Sequence, residues 1–367
     1  MSERTLIIKL RALGDTVLAT AAAEALFEAT GAPVDMMVPA RWAAALQHLP
    51  FVDRIIAVDE PRGVFSRLFF WLRVVRALRQ DRYARVAVLH ASFRTALVGW
   101  LASRGRGVAV VNHHELSGGV FHRWIFQTLF SDRAVADRGV LKSNMQRDLD
   151  TVRALGFKAD AASAHTHLHL SDLERAAASD LLGAHGWSSD QPLLWLGIGA
   201  SRMTKRWSTV RFWELMKLVR ETDLRWRFVI VAVKDDEPWL AASGLGAEPG
   251  LIRLQDLNLR QAMAVMGWCQ GYVGNDSGFK HVAAALGLPT VTVFGPEDPA
   301  EWHPYALDRH PFYYTEGLPC RTEGGQHWCS LPECTPATRH GHQCMEGIGS
   351  RKVFDGLVRA LKAPRTS

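Results

Sequence analysis

Short apolar runs rich in branched residues alternate along the chain with longer segments whose apolar residues recur at helical spacing. In the first half, the runs that indicate strands are residues 5–10, 34–38, 54–58, 85–89 and 108–112. After a polar stretch the alternation resumes, and the runs that indicate strands are residues 193–196, 227–232, 271–273 and 290–294. Alternating strands and helices favour a parallel sheet covered on both faces. The pattern therefore predicts two α/β units.

The predicted elements divide the chain into four segments. Residues 1–165 are expected to form a Rossmann-like domain, residues 166–189 a connector, residues 190–349 a second Rossmann-like domain, and residues 350–367 a final amphipathic helix and tail. Open parallel sheets bind ligands beyond the carboxyl ends of their strands. We therefore expect two domains that face each other across a cleft, with the substrates in that cleft.

The composition fits two ordinary domains. The chain has 367 residues, and its hydrophobic content of 48% is enough to bury two cores. It contains no apolar run of about 18 residues that could span a membrane, and its N-terminus lacks the pattern of a signal peptide. These features predict a cytoplasmic protein.

Positive charge is concentrated in the first half of the chain. Residues 1–165 contain 22 Lys and Arg against 15 Asp and Glu, whereas residues 166–367 contain 21 against 22. The excess in the first half favours an anionic partner, such as a phosphorylated substrate or a membrane surface. No nucleic-acid-binding motif accompanies it, so we do not expect a nucleic-acid partner.

Residues 61–85 interleave seven Arg with many aromatic and aliphatic residues. A basic helix with aromatic bulk can lie on an anionic membrane surface. The same pattern is also typical of a core helix with a solvated Arg face. The sequence leaves both interpretations open.

Residues 273–278 follow a predicted strand and lead into a predicted helix at residues 279–286. A helix N-terminus offers N–H groups and the positive end of a dipole, so small residues at this point suit a phosphate group. Asp276 or Ser277 could equally be an ordinary N-cap of that helix.

A second candidate loop, residues 197–207, also follows a predicted strand. Its small residues permit close backbone approach, Ser201 and Thr204 can donate hydrogen bonds, and Lys205 or Arg206 can neutralise a leaving diphosphate without a metal. The alternative is a solvated basic loop.

The loop at residues 11–15 ends the first predicted strand of the other domain. Asp15, which would point into the expected cleft, can act there as a general base that activates an acceptor hydroxyl. An Asp after Gly is also a common helix N-cap, and the sequence does not separate these two roles.

Four of the five cysteines, Cys320, Cys329, Cys334 and Cys344, lie within 25 residues. In a reducing cytoplasm such a cluster indicates either metal ligands or buried small residues. Their spacing is looser than that of common zinc sites. If zinc or iron binds there, we expect a structural role, because these residues follow the phosphate-binding segment and would brace the final helix.

Three motifs together resemble glycosyltransferase family 9, the lipopolysaccharide core heptosyltransferases. The motifs are a KxxxxGD start at Lys9 to Asp15, a GASxxxKRW segment at Gly199 to Trp207, and a GNDSGxxHxAAALGxPTVxxFGPxDP block at Gly274 to Pro299. The resemblance implies a GT-B fold, an ADP-heptose donor, inversion at the anomeric carbon and no catalytic metal. It further implies a phosphorylated, lipid-linked saccharide of the lipopolysaccharide inner core as the acceptor, which would place the protein at the inner face of the inner membrane.

The resemblance also assigns roles to single residues. It implies that Asp15 is the catalytic base and that Lys9 and Arg11 lie on the acceptor side. The residues expected to bind the donor are Ala200, Ser201, Lys205, Glu237, Asp276, Ser277, Gly278 and His281. Phe279 and Lys280 depart from the pair usual in the family, and Lys280 adds a cation beside the expected diphosphate.

Three other functions compete with this one. The long cysteine region resembles a branch of the family that glycosylates proteins and carries an iron-binding cysteine cluster. A catalytically silent sugar-nucleotide-binding protein would not need the retained Asp15. A sugar-nucleotide epimerase of the same fold would need additional carboxylates and histidines that the motifs lack.

Overall fold

The computed structural model describes residues 4–89, 92–103, 107–112, 134–135, 141–161, 164–232, 240, 245, 248–318, 320, 329, 334 and 342–364. The chain forms two compact units, Met1–His169 and Leu170–Ser367. Each unit is built around its own parallel sheet.

The first unit is a six-stranded sheet with helices on both faces. Its strands are β1 (Thr5–Ile8), β2 (Val34–Pro39), β3 (Val52–Val58), β4 (Arg85–Val88), β5 (Val108–Asn112) and β6 (Ala134–Val135), in the order β3-β2-β1-β4-β5-β6. Its helices are α1 (Leu13–Thr30), α2 (Ala40–Ala43), α3 (Val64–Asp81), α4 (Phe93–Ala102) and α5 (Asn144–Ala154). The strand order reverses between β1 and β4, and ligands of such sheets bind at that point.

Two separate cores cover the faces of this sheet. Successive side chains of a strand point to opposite faces. Leu6 and Ile8 therefore pack with Trp71 and Leu78 of α3, whereas Ile7 packs against α1 and α5 on the other side. The alternation explains why Leu6, Ile7 and Ile8 of β1 are all apolar, because both faces of the strand are buried.

The second unit repeats this architecture. Its strands are β7 (Leu193–Gly197), β8 (Arg227–Ala232), β9 (Leu251–Gln255), β10 (Gly271–Asn275), β11 (Thr290–Val293) and β12 (Phe312–Tyr313), in the order β12-β11-β10-β7-β8-β9. Its helices are α6 (Asp172–Ala184), α7 (Thr209–Thr222), α8 (Leu259–Met266), α9 (Gly278–Ala285), α10 (Pro299–Trp302), α11 (Gln343–Glu346) and α12 (Ser350–Lys362). The apolar face of α12 packs on α7 and β11, through Val353, Phe354 and Leu357.

The predicted pair of parallel α/β units is confirmed. The sequence pattern did not indicate β9, whose burial alternates along a short strand at the edge of its sheet. Helix α1 begins earlier than predicted, so that Asp15 lies in its first turn. Among the helices that the structure describes, none is long and apolar enough to cross a membrane.

Candidate active site

The carboxyl ends of β7 and β10 lie side by side in the second unit, where Gly197 pairs with Gly274. A Cβ atom at Gly274 would lie 2.5 Å from the carbonyl oxygen of Gly197. A Cβ at Gly197 would in turn collide with the hydroxyl of Tyr272. Both positions therefore require glycine, and the two strand-end loops approach more closely than side chains would allow.

Asn275 ties these two loops together. Its side-chain oxygen accepts a hydrogen bond from the backbone N–H of Trp207 (2.8 Å), and its side-chain nitrogen donates to the carbonyl oxygen of Ile198 (2.7 Å). The side chain is completely buried, so both of its polar groups need these partners. The sequence alone assigned no role to Asn275. A buried amide at the end of a strand was the available signal.

A buried carboxylate lies between two lysines at this strand end. Asp276 Oδ2 is 2.6 Å from Lys205 Nζ, and Asp276 Oδ1 is 2.5 Å from Lys280 Nζ. Lys280 is completely buried, and its ammonium lies 4.1 Å from the ring centre of Phe294. The three side chains, which we call the Lys–Asp–Lys cluster, place a net positive charge beside the N-terminus of α9.

Burial and pairing shift the protonation of this cluster. Burial by itself raises the pKa of Asp276, but Lys205 and Lys280 together lower it by more than burial raises it. The net pKa of Asp276 therefore lies well below the usual range. Burial lowers the pKa of Lys280 to about 8, although Asp276 opposes this change. Asp276 is therefore ionised at neutral pH and holds both ammonium groups in place.

The other donor-binding residues predicted in the block from Gly274 to Pro299 lie around the same helix end. Ser277 is the N-cap residue of α9, but its side chain makes no capping hydrogen bond, and Gly278 is the first helical residue. His281 Nδ1 lies 2.6 Å from the hydroxyl of Tyr305. Burial, reinforced by Lys280, lowers the pKa of His281 well below its usual value, so its imidazole is neutral. The side chains of Asp276 and Ser277 thus do not cap α9, contrary to the alternative interpretation.

The remaining predicted donor residues lie in the loop after β7 or outside the described residues. Ala200 is half-buried and Ser201 is exposed, ahead of a 3-10 turn at Met203–Lys205. Glu237 falls in residues that the structure does not describe.

The cysteine-rich segment borders this loop. Arg202 donates to the carbonyl oxygen of Cys329 (2.8 Å), and His342 Nε2 donates to that of Thr204 (2.9 Å). All five cysteines are thiols. Within the part of the chain that the structure describes, no three His, Cys, Asp or Glu side chains come together as a possible metal site. Since the four clustered cysteines belong to that part, the expected zinc or iron has no support.

The first unit places Asp15 beside two cations. Asp15 is buried in the first turn of α1, and one of its oxygens lies 3.9 Å from both Lys9 Nζ and Arg11 Nε. The N-cap of α1 is Ala12, so Asp15 does not cap the helix. Lys9 is buried and donates to both oxygens of Asp148 (2.8 and 2.9 Å), a residue of α5 to which the sequence alone assigned no role.

Comparison with known proteins agrees with this arrangement. Residues 71–325 match glycosyltransferase family 9 (heptosyltransferase). The chain is 28% identical over 275 residues to lipopolysaccharide heptosyltransferase 2 of Salmonella typhimurium, a match that covers 72% of this chain and 75% of the relative.

Two solved structures resemble nearly the whole chain. A glycosyltransferase family 9 protein from Veillonella parvula has a TM-score of 0.77 at 19% identity, covering 98% of this chain and 97% of its own. The Escherichia coli ADP-heptose lipopolysaccharide heptosyltransferase II has a TM-score of 0.71 at 22% identity, covering 98% of both chains. These similarities confirm the GT-B fold. Because the family match spans more than half of its length, the chain belongs to glycosyltransferase family 9 (heptosyltransferase) and is a glycosyltransferase.

Proposed function

We propose that the chain transfers a heptose, with inversion, from ADP-heptose to a saccharide of the lipopolysaccharide inner core. The observation that carries this proposal is the Lys–Asp–Lys cluster at the carboxyl ends of β7 and β10. When the bond between the sugar and the diphosphate breaks, negative charge builds up on the leaving diphosphate. Fixed cations near that charge stabilise the transition state, and they act most strongly where water is excluded.

Lys205 is the cation proposed to contact the diphosphate. Its side chain remains partly accessible, whereas Lys280 is completely buried behind Asp276. The N-terminus of α9 adds N–H donors, and its first residue, Gly278, has no side chain that would keep a phosphate group away. In this proposal Ala200, Ser201, Ser277 and His281 line the donor site, and Glu237 holds the ribose.

Asp15 is the proposed general base. Inversion requires one direct attack, so one carboxylate must take the proton of the acceptor hydroxyl as the new bond forms. Among the described residues no hydrogen bond occupies Asp15, and the cations at 3.9 Å are beyond hydrogen-bond length. Its oxygens thus keep their capacity to accept a hydrogen bond from a hydroxyl group, while Arg11, which is half exposed, suits an anionic group on the acceptor.

The names of the relatives support a lipopolysaccharide acceptor. The alternative, a protein heptosyltransferase with a metal-binding cysteine cluster, is not favoured, because its distinguishing metal site lacks support among the described cysteines. The sugar, the nucleotide and the acceptor can be tested together.

The decisive assay incubates the purified enzyme with ADP-heptose and heptose-deficient inner-core lipopolysaccharide. We expect ADP release that depends on the acceptor, and a product heavier by one heptose in mass spectrometry. Parallel reactions contain UDP-glucose as the donor or an unfolded autotransporter fragment as the acceptor. ADP binding without transfer to any acceptor would indicate a silent binding protein and would contradict the proposal.

We further propose that α3 contacts an anionic membrane that carries the acceptor. Phe65, Leu68, Phe69 and Leu72 are all exposed, and their spacing places them on one face of the helix. On the following turns Arg73, Arg76 and Arg79 are exposed and make no ion pair within the described residues. Apolar insertion and attraction to anionic headgroups together favour such binding.

Vesicle flotation tests this contact. We expect the protein to float with phosphatidylglycerol vesicles and to remain behind with phosphatidylcholine vesicles or at high salt. The double variant Phe65→Ser/Phe69→Ser should no longer float. Leu224→Ser, which changes an equally exposed apolar residue of the second unit, is the matched control. Equal flotation of both variants would contradict a contact through α3.

A further inference from the structure

Lys9 is a buried cation between two carboxylates of the first unit. It follows β1, and its side chain is only 1% exposed. Asp15 comes from the first turn of α1, and Asp148 comes from α5, which packs against α1. Asp148 is completely buried, so the protein holds two carboxylates and one ammonium out of water at one place.

The ammonium of Lys9 lies closer to Asp148 than to Asp15. Lys9 Nζ donates to both oxygens of Asp148, at 2.8 and 2.9 Å, but lies 3.9 Å from the nearer oxygen of Asp15. The first two distances are those of strong charge-assisted hydrogen bonds, and the third is too long for a hydrogen bond. Lys9 is therefore hydrogen-bonded to Asp148, and the oxygens of Asp15 receive no hydrogen bond from it.

We propose that Asp148 is a positioning residue for glycosyl transfer, which holds Lys9 away from Asp15 so that Asp15 can accept the proton of the acceptor hydroxyl. This inference rests on the proposed role of Asp15 as general base. A buried ammonium that loses its carboxylate partner pairs with the next one within reach, because an unpaired buried charge is costly. For Lys9 that next carboxylate is Asp15, and a short ion pair there would compete with the acceptor hydroxyl.

The arrangement also predicts a dependence on pH. The charged groups that face Asp148 are Lys9, Arg147 and Asp15, and Arg11 faces Asp15. Burial raises the pKa of Asp148 to about 7, although Lys9 opposes the change. Below that pH the carboxyl of Asp148 gains a proton and holds Lys9 less tightly. We therefore expect kcat to fall as the pH drops through about 7.

The test uses Asp148→Asn, which removes the charge and keeps the shape. We expect kcat to fall roughly 10- to 100-fold, less than the loss of about 10²–10⁴-fold typical of removing a general base. The Kd for ADP should not change, because the proposed donor residues belong to the other unit. The fall of kcat near pH 7 should disappear. Circular dichroism and the melting temperature establish that the variant is folded.

A second substitution separates positioning from a structural role. In Lys9→Met/Asp148→Asn no ammonium is left to pair with Asp15, so kcat should recover roughly tenfold relative to Asp148→Asn. Any contact of Lys9 with the acceptor appears separately, in the KM for the acceptor. Equal kcat values for the single and double variants, or a wild-type pH profile in Asp148→Asn, would overturn the inference. Full activity of Asp15→Asn would instead contradict the proposed role of Asp15 as general base, on which the role of Asp148 rests.

Discussion

The ammonium of Lys280 lies 2.5 Å from a carboxylate oxygen of Asp276, and both side chains are buried. The other oxygen of Asp276 binds Lys205, so one carboxylate orients two cations. In the sequence Lys280 was a departure from the family pattern without a derived purpose. The structure makes Lys280 the inner half of the Lys–Asp–Lys cluster.

Lys205→Ala is expected to weaken ADP binding. A hydrogen bond between a charged side chain and a phosphate contributes about 1.5–3 kcal/mol, which corresponds to roughly a 10- to 100-fold rise in Kd. Calorimetry with ADP measures the change. Lys217→Ala, at an exposed lysine of α7 that lies over the ring of Trp213, is the control and should bind like the wild type. Unchanged ADP affinity in Lys205→Ala would indicate that Arg206, and not Lys205, contacts the diphosphate.

ADP affinity should depend on the protonation of Lys280. Burial lowers the pKa of Lys280 to about 8, and the other charged or titratable groups near it are Asp276, Lys205, Glu297, His281 and His303. A bound diphosphate favours the protonated lysine. By linkage, affinity is therefore highest below about pH 8 and declines as the pH rises through that value.

In Lys280→Met the same titration should be absent. The affinity of the variant for ADP should be lower at neutral pH and constant through about pH 8. Calorimetry at several pH values distinguishes the two proteins. A wild-type Kd that stays constant over this range would mean that Lys280 does not sense the diphosphate.

Asp15→Asn should abolish transfer and leave ADP binding intact. An amide cannot accept the proton of the acceptor hydroxyl, and loss of a general base typically costs about 10²–10⁴-fold in rate. The donor residues lie in the other unit, so the Kd for ADP should match that of the wild type. Steady-state kinetics measures the rate of transfer, and calorimetry measures the Kd for ADP. Wild-type turnover would exclude Asp15 as the base.

Gly274→Ala is expected to damage the donor site. The new methyl group would lie 2.5 Å from the carbonyl oxygen of Gly197, and this backbone cannot move without shifting β7. Overpacking of this kind costs about 1–3 kcal/mol. Thermal unfolding and ADP calorimetry should both report the change. Gly183→Ala on α6, where a Cβ meets no atom within 4 Å, should be neutral or slightly stabilising.

Transfer should persist in saturating EDTA. In the proposed mechanism Lys205 stabilises the negative charge of the leaving diphosphate, together with Lys280 and the N-terminus of α9. These cations remain when free divalent ions are removed. Initial rates with and without EDTA are the measurement, and activity that is lost and then restored by magnesium would contradict the mechanism.

The sequence by itself determined the local elements and the positions of the motifs. Two series of apolar runs predicted the two parallel sheets, because buried strands are apolar on both faces. Small residues and polar side chains after β7 and β10 marked the carboxyl ends where ligands of such sheets bind. Lys205 and Asp276, which the sequence assigned to the same ligand, are in contact. These features are local, since each depends on a few neighbouring residues and on the spacing of apolar residues within one strand or helix.

Only the tertiary structure decided which distant groups meet. Lys9 and Asp148 are 139 residues apart, and their contact depends on how α5 packs against α1. Asn275 reaches the loop after β7 because β10 and β7 are neighbours in the sheet. The cysteines are close in sequence, yet the described ones do not assemble into a metal site. Periodicity reports whether a residue is buried, but the partner of a buried charge depends on strand order and helix packing, which local patterns do not encode.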